Sequence, residues 1–164
     1  MRVLIVSDTH RDDRNLEKVL KLVGPIDHLI HLGDAEGSEF YYEQIANCPI
    51  HIVSGNCDYY SELPREEEFM LGKYRVLITH GHYYQVAFGT EELKRIARER
   101  GIDIIMYGHT HRPLVEHEEG VTVVNPGSIS RPRQDKRPSY IFAESDKDGK
   151  FDFRIVYMNV DRKW

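Results

Sequence analysis

The chain has 164 residues, with 22 Lys and Arg against 27 Asp and Glu and a formal charge of −5 at pH 7. About 150 residues is a common domain size, so this length predicts one domain spanning 1–164, with enough interior to stand without disulfides or a structural metal. Hydrophobic residues at 40% and charged residues at 30% exclude a disordered chain; the acidic balance argues against broad nucleic-acid binding, and no apolar run approaches the roughly 18 residues that span a bilayer.

The apolar stretch Val3 to Val6 is too short for a signal-peptide core. Two cysteines, Cys48 and Cys57, do not make a disulfide framework, and the expected location is the cytoplasm.

Residues 2–7 read as a buried strand. Residues 14–23 place Leu16, Val19, Leu20 and Val23 on one helical face, stopped by Gly24-Pro25. Residues 28–33 and 50–54 read as strands, with a helix over 38–46 between them. Residues 67–71 and 74–79 read as a hairpin turning at Gly72-Lys73. Thr90 is placed to cap a helix that runs to Arg100, with Leu93, Ile96 and Ala97 inward and Gly101 beyond its end. Strands are expected at 103–107, 113–118, 121–125, 139–144 and 151–160. Alternating β/α and then β-rich sequence predicts a mixed α/β layered domain with two β systems face to face and helices outside. The exposed strands of the second half suit a homodimer.

The chemistry sits in the residues just past each apolar run. The runs end in Ser7-Asp8-Thr9-His10, Gly33-Asp34, Gly55-Asn56-Cys57-Asp58, His80-Gly81-His82 and Gly108-His109-Thr110-His111. In an α/β sheet the carboxyl ends of strands share an edge, and ligands bind there. Carboxylate, amide oxygen and neutral imidazole suit Mn, Fe, Zn or Ni. An extended backbone would put Asp8 and His10 on one side, and likewise His109 and His111. With Asp34, Asn56 and His80 the donors number seven, too many for one four-coordinate zinc and suited to two metals sharing a carboxylate. Each piece alone has a bland reading as a turn residue or a packed histidine; their joint placement at strand ends favours a metal site.

This set, with Asn125-Pro126-Gly127-Ser128, resembles the calcineurin-like metallophosphoesterase superfamily, in its small prokaryotic phosphodiesterase branch, over roughly residues 2–130. The resemblance implies a four-layer αββα sandwich of two mixed sheets with a dinuclear centre. It implies that Asp8, His10, Asp34 and His111 hold one ion, that Asp34 bridges, and that Asn56, His80 and His109 complete the second. Many family members carry His where this chain has Cys57. A thiol does not replace a cationic imidazole as proton donor near neutral pH unless its pKa is unusual, so inefficient turnover of esters with poor leaving groups is expected; the resemblance extends to this Gly-Asn-Cys-Asp form in the small prokaryotic branch, and a small packed side chain is the favoured reading of Cys57 over a catalytic role.

The reaction expected is phosphodiester hydrolysis by a hydroxide bridging two divalent metals, manganese being the favoured pair. Asp8 and Asp34 bring two negative charges against four positive; a hydroxide and a singly charged diester neutralise the rest, whereas a monoester dianion overshoots. Nearby arginines can reverse that preference. His82 and Arg11 are the candidate catalytic groups, for the leaving oxygen and the phosphate respectively. Asp58 is a candidate for orienting a ligand and Asn125 for shaping the site. Tyr59, Tyr60, Tyr83 and Tyr84 are candidates for a pocket mouth, the basic stretch 131–137 is a solvated loop or a phosphate contact, and His28, His31, His51 and His117 read as structural or exposed. The expected partner is a small phosphodiester, with no membrane. The competing function is a non-catalytic interaction scaffold on the same fold; a metallo-β-lactamase-type hydrolase would need an H-x-H-x-D-H run that the chain lacks.

Overall fold

The computed structural model describes residues 1–133 and 136–159. In chain order the elements are β1 (Arg2–Val6), α1 (Arg14–Val23), β2 (His28–His31), α2 (Glu39–Ala46), β3 (Ile50–Ile52), β4 (Glu66–Leu71), β5 (Tyr74–Thr79), α3 (Glu91–Arg100), β6 (Ile104–Tyr107), β7 (Pro113–Glu118), β8 (Val121–Pro126), β9 (Ser139–Ser145) and β10 (Phe151–Tyr157), with a 3₁₀ turn at His82–Tyr84. One sheet has the order β10-β9-β1-β2-β3 and the other β4-β5-β6-β8-β7. β1, β2 and β3 are mutually parallel, as are β5, β6 and β8. The antiparallel strands lie outside those parallel sets.

Period-two alternation builds the layers. Val3 and Ile5 of β1 join Val76 and Ile78 of β5 in an apolar cluster between the sheets. The alternate residues Leu4 and Val6 turn the other way, onto Leu16 and Val19 of α1 and Tyr42 of α2. Leu77 and Ile105 point away from the shared cluster, onto Leu93, Ile96 and Ala97 of α3. The result is the expected αββα sandwich. Full burial of a side chain such as Leu16 is worth about 1.5–3 kcal/mol.

Gly24 ends α1 at φ +70, its N–H on the Leu20 carbonyl, and Gly101 ends α3 in the left-handed region, as expected. Thr90 precedes α3, but its hydroxyl makes no cap. It donates to Glu116 Oε2 at 2.9 Å, a bond that directs the side chain toward β7. β3 is shorter than the expected 50–54: Ser54 N–H leaves the ladder for the Pro64 carbonyl. The last strand ends at Tyr157, and residue 160 of its expected span lies outside the described residues.

Candidate metal centre

β1, β2, β3, β5 and β6 deliver the seven donors from their carboxyl ends into one cluster. Asp8 Oδ1 lies 3.0 Å from His111 Nε2 and 3.9 Å from His10 Nε2. The two imidazole Nε2 atoms are 3.4 Å apart. Asp34 Oδ2 faces both halves of the cluster, 3.8 Å from His10 Nε2 and 3.4 Å from His80 Nε2. Asn56 Oδ1 lies 3.1 Å from His80 Nε2 and 2.8 Å from His109 Nδ1. Two sets, Asp8/His10/His111 and Asp8/Asp34/His80, are compact enough to hold a metal ion each.

The donor chemistry fits cations. His80 Nδ1 donates to the Leu32 carbonyl at 2.6 Å, His111 Nδ1 to the Arg131 carbonyl at 2.5 Å and His10 Nδ1 to Glu36 Oε1 at 2.6 Å. In the neutral form, each ring therefore turns a bare Nε2 lone pair inward. Those lone pairs face carboxylate oxygens, and the buried Asp8 Oδ1 accepts no hydrogen bond. Lone pair against lone pair is repulsive, and a positive ion between them relieves it. Ligands about 2.1 Å from a common ion stand about 3.0–3.4 Å apart at octahedral and tetrahedral angles, close to the separations above. Without an ion, protons answer the same need. Burial opposes charge on His80 and His111, but the neighbouring Asp34 and Asp8 outweigh it and raise both pKa values. Burial likewise opposes ionisation of Asp8 and Asp34, and their histidine contacts outweigh it and hold both carboxyls below the usual range.

The backbone reaches this geometry differently from the expected extended alternation. Asp8 and His10 have φ of +57 and +47, and His109 and His111 have +67 and +56. Asp34 is also left-handed, at φ +58. The pairs converge through tight left-handed turns, which non-glycine residues adopt at a cost. Hydrogen bonds hold those turns. His109 N–H donates to Asp8 Oδ2, and the hydroxyls of Ser128 and Ser130 both donate to the Asp8 carbonyl. Gly33 N–H donates to His31 Nδ1, so His31 Nε2 donates to Thr9, between the donors Asp8 and His10; Thr9 contacts Tyr42, which donates to Asp13. Gly55 and Gly108 are needed for close approach: a Cβ on Gly55 would overlap Asp34 Oδ1, and one on Gly108 would overlap the Ser7 hydroxyl.

Asp58 clamps the loops, accepting the N–H groups of Asp34, Gly55 and Glu36. Asn125 shapes the last donor loop, donating to the Gly108 carbonyl and the Thr110 hydroxyl. The His82 ring stands 5.4 Å from that of His80 and 6.0 Å from that of His109, its Nδ1 without a partner. Arg11 lies beside the cluster, its Nε on the Glu36 carbonyl at 2.8 Å. Burial, then the Asp34 charge, pushes the Cys57 thiol up to about 12, so it is a neutral group in this environment. Tyr59 and Tyr60 are exposed at a cavity mouth, Tyr83 stacks under Arg65, and Tyr84 bonds Glu66. His31 is buried, His51 pairs with Glu67, His117 meets Thr122, and His28 lies beside His51. Of the basic stretch 131–137, residues 134 and 135 lie outside the described residues. Glu36, bonded to His10, is the polar group that sequence reading missed. It stands in no recognisable motif, two residues past Gly33-Asp34, and only its left-handed backbone at φ +54 turns it back.

Residues 1–148 match the family model described as the calcineurin-like phosphoesterase superfamily domain. The chain belongs to the calcineurin-like phosphoesterase superfamily. Within this superfamily it is 34% identical over 149 residues to the "Probable metallophosphoesterase YsnB" of Bacillus subtilis, covering 90% of this chain and 86% of that one. Identity to "Phosphodiesterase YfcE" of Escherichia coli is 29%, covering 89% of each. "Vacuolar protein sorting-associated protein 29" of Schizosaccharomyces pombe is 32% identical, over 79% of this chain and 73% of that one. A solved structure of a predicted phosphoesterase from Streptococcus pneumoniae superposes with a TM-score of 0.81 at 32% identity, covering 95% of this chain and 88% of that one. Calcineurin-like phosphoesterases use divalent metals, in keeping with the donor sets above. Among the described residues no helix is long and apolar enough to cross a membrane.

Proposed function

We propose that the protein is a single-domain phosphoesterase that cleaves phosphodiesters in preference to phosphomonoesters at two divalent ions, Mn²⁺ being the working metal. The observation that carries this reading is the convergence of bare acceptor atoms on one another, with Asp8 Oδ1 buried and unpartnered. Asp8, His10, Asp34 and His111 would hold one ion; Asn56, His80 and His109 would hold the other, with Asp34 shared. When bound, such a pair supplies hydroxide near neutral pH and positive charge against the phosphoryl oxygens.

The chain's own residues then set the preference. Asp8 and Asp34 are ionised, and Glu36 adds a further carboxylate through His10. Each negative charge already present makes a dianionic monoester less welcome than a monoanionic diester. Burial, then His80, lowers the His82 pKa, so His82 meets the ester as a neutral hydrogen-bonding ring. Arg11, at the opposite lip, offers its charge to the phosphoryl oxygens. The free cysteines Cys48 and Cys57 support a reducing cytoplasm.

The second reading, a non-catalytic interaction scaffold, is supported by the likeness to a relative named for vacuolar protein sorting. The intact set of seven candidate ligands favours the enzyme, although metal binding alone does not separate the two readings. Purification with added Mn²⁺ and then assay on bis-p-nitrophenyl phosphate and p-nitrophenyl phosphate separates the two. Metal-dependent hydrolysis with faster turnover of the diester is expected; bound metal with no hydrolysis of either ester selects the scaffold.

A further inference from the structure

Two cavities flank the candidate metal centre, and their linings differ in charge. One, of about 420 Å³, is acidic, with Glu36, Glu39 and Asp58 beside Arg11. The other, of about 560 Å³, has His109 in its wall together with Arg112, Arg133, Phe88, Leu114 and Glu116. Glu116 in that wall is held by Lys94 at 2.8 Å and Thr90 at 2.9 Å, with Lys94 shared by Glu91 and Glu118, and among the described residues it makes no ion pair with either arginine. Among the described residues the guanidiniums of Arg112 and Arg133 have no carboxylate or hydrogen-bond partner; only their main-chain groups are bonded. Arg14, Arg75, Arg95, Arg98, Arg100 and Arg154 each pair with a carboxylate.

Arg112 and Arg133 are both exposed, so water solvates their charges, and neither is held by a carboxylate that an incoming anion would have to displace. Guanidinium suits a phosphate through its planar fork of donors. The cavity is larger than one phosphate requires, and Phe88, 91% exposed, gives it an apolar wall. We propose that this cavity seats the substrate arm remote from the reacting phosphorus, and that this arm carries a second phosphate-type anion held by Arg112 and Arg133. The acidic cavity on the other side repels such a group, which fixes the direction in which the substrate lies. The inference rests on the phosphoesterase reading only for the position of the reacting phosphorus.

Calorimetric titration of the Mn²⁺-loaded protein with thymidine 3′,5′-bisphosphate and with thymidine 5′-monophosphate tests it. The bisphosphate is expected to bind at least about tenfold tighter. Arg112→Gln and Arg133→Gln are each expected to reduce that ratio at least about threefold, with melting curves confirming that the variants fold. Equal affinities in the native protein overturn the proposal without recourse to any variant. An equal loss for both ligands in the variants also overturns it, because the guanidiniums would then serve the reacting phosphoryl group. A tenfold ratio without hydrolysis of bis-p-nitrophenyl phosphate upholds the anion subsite and removes the catalytic reading, so the two failures are distinguishable.

Discussion

Glu36 Oε1 accepts the Nδ1 proton of His10 at 2.6 Å, and this bond turns the His10 Nε2 lone pair toward Asp8 and His111. A carboxylate behind a ligating histidine fixes its tautomer and raises its basicity. Glu36→Gln keeps an acceptor oxygen and removes the charge. Mn²⁺ affinity at the His10 half of the centre is expected to fall about tenfold or more, with the His80 half little changed. Calorimetric Mn²⁺ titration would show one of two binding events weakening; parallel weakening of both would refute the orienting role.

Asp34 faces both halves of the centre while its Oδ1 accepts the Cys57 N–H at 2.8 Å. Asp34→Asn preserves that loop contact and removes the shared anion. Both metals are expected to be lost at micromolar Mn²⁺, with kcat falling by about three orders of magnitude or more. Metal analysis after gel filtration, beside the diester assay, reads both. A fully loaded, active variant would show that Asp34 does not bridge.

Gly55 leaves no room for a Cβ beside Asp34. Gly55→Ala is expected to displace Asp34 and weaken metal binding while changing the far face of the fold little. Tyrosine and amide NMR shifts around α3 should stay in place as Mn²⁺ affinity drops; unchanged affinity would mean the loop yields freely.

Burial, partly offset by Asp58 and Asp8, holds the His31 pKa down to about 4. An unfolded histidine titrates near 6.5. Between those values the unfolded chain takes up a proton that the folded chain refuses. Stability from neutral His31 is therefore complete above about pH 6.5 and is lost as pH falls toward about 4, by about 3 kcal/mol. Urea denaturation of metal-free protein across this range should slope less steeply for His31→Gln than for the native chain. Identical slopes would exclude His31 as the source.

Cys57 is neutral and sits at the edge of the cluster, within reach of His10 and Glu36. Cys57→His is expected to speed hydrolysis of esters with poor leaving groups by about tenfold, through an added proton donor, and to leave bis-p-nitrophenyl phosphate, whose leaving group needs no proton, within about threefold. A uniform effect on both ester types would move the role of this position away from leaving-group protonation.

The convergence of the seven candidate ligands could be read from the sequence because they follow apolar runs, and strand ends place polar groups at a shared edge. The layers were equally open to reading: Val3 and Ile5 alternate with Leu4 and Val6, and the two sets bury against different partners. The local backbone was not legible in this way. An extended Asp8-x-His10 was the simplest inference from alternation, but Asp8 and His10 are left-handed, and the contacts that hold them come from Ser128, Ser130 and His109, more than a hundred residues away for the serines and about a hundred for His109. Glu36 escaped notice for the same reason, since its partner is fixed by a turn and not by spacing. The Thr90 hydroxyl likewise meets Glu116 of β7, a contact between distant segments that local helix spacing does not contain.

Five of the seven donors occupy backbone that any residue except glycine, and to a lesser degree asparagine or aspartate, resists. Relaxing one such position costs on the order of 1 kcal/mol less than keeping it. The fold thus carries backbone strain at the same few positions where its carboxylates and imidazoles converge, and the burial and hydrogen bonds of His10 and His111 hold that strain in place.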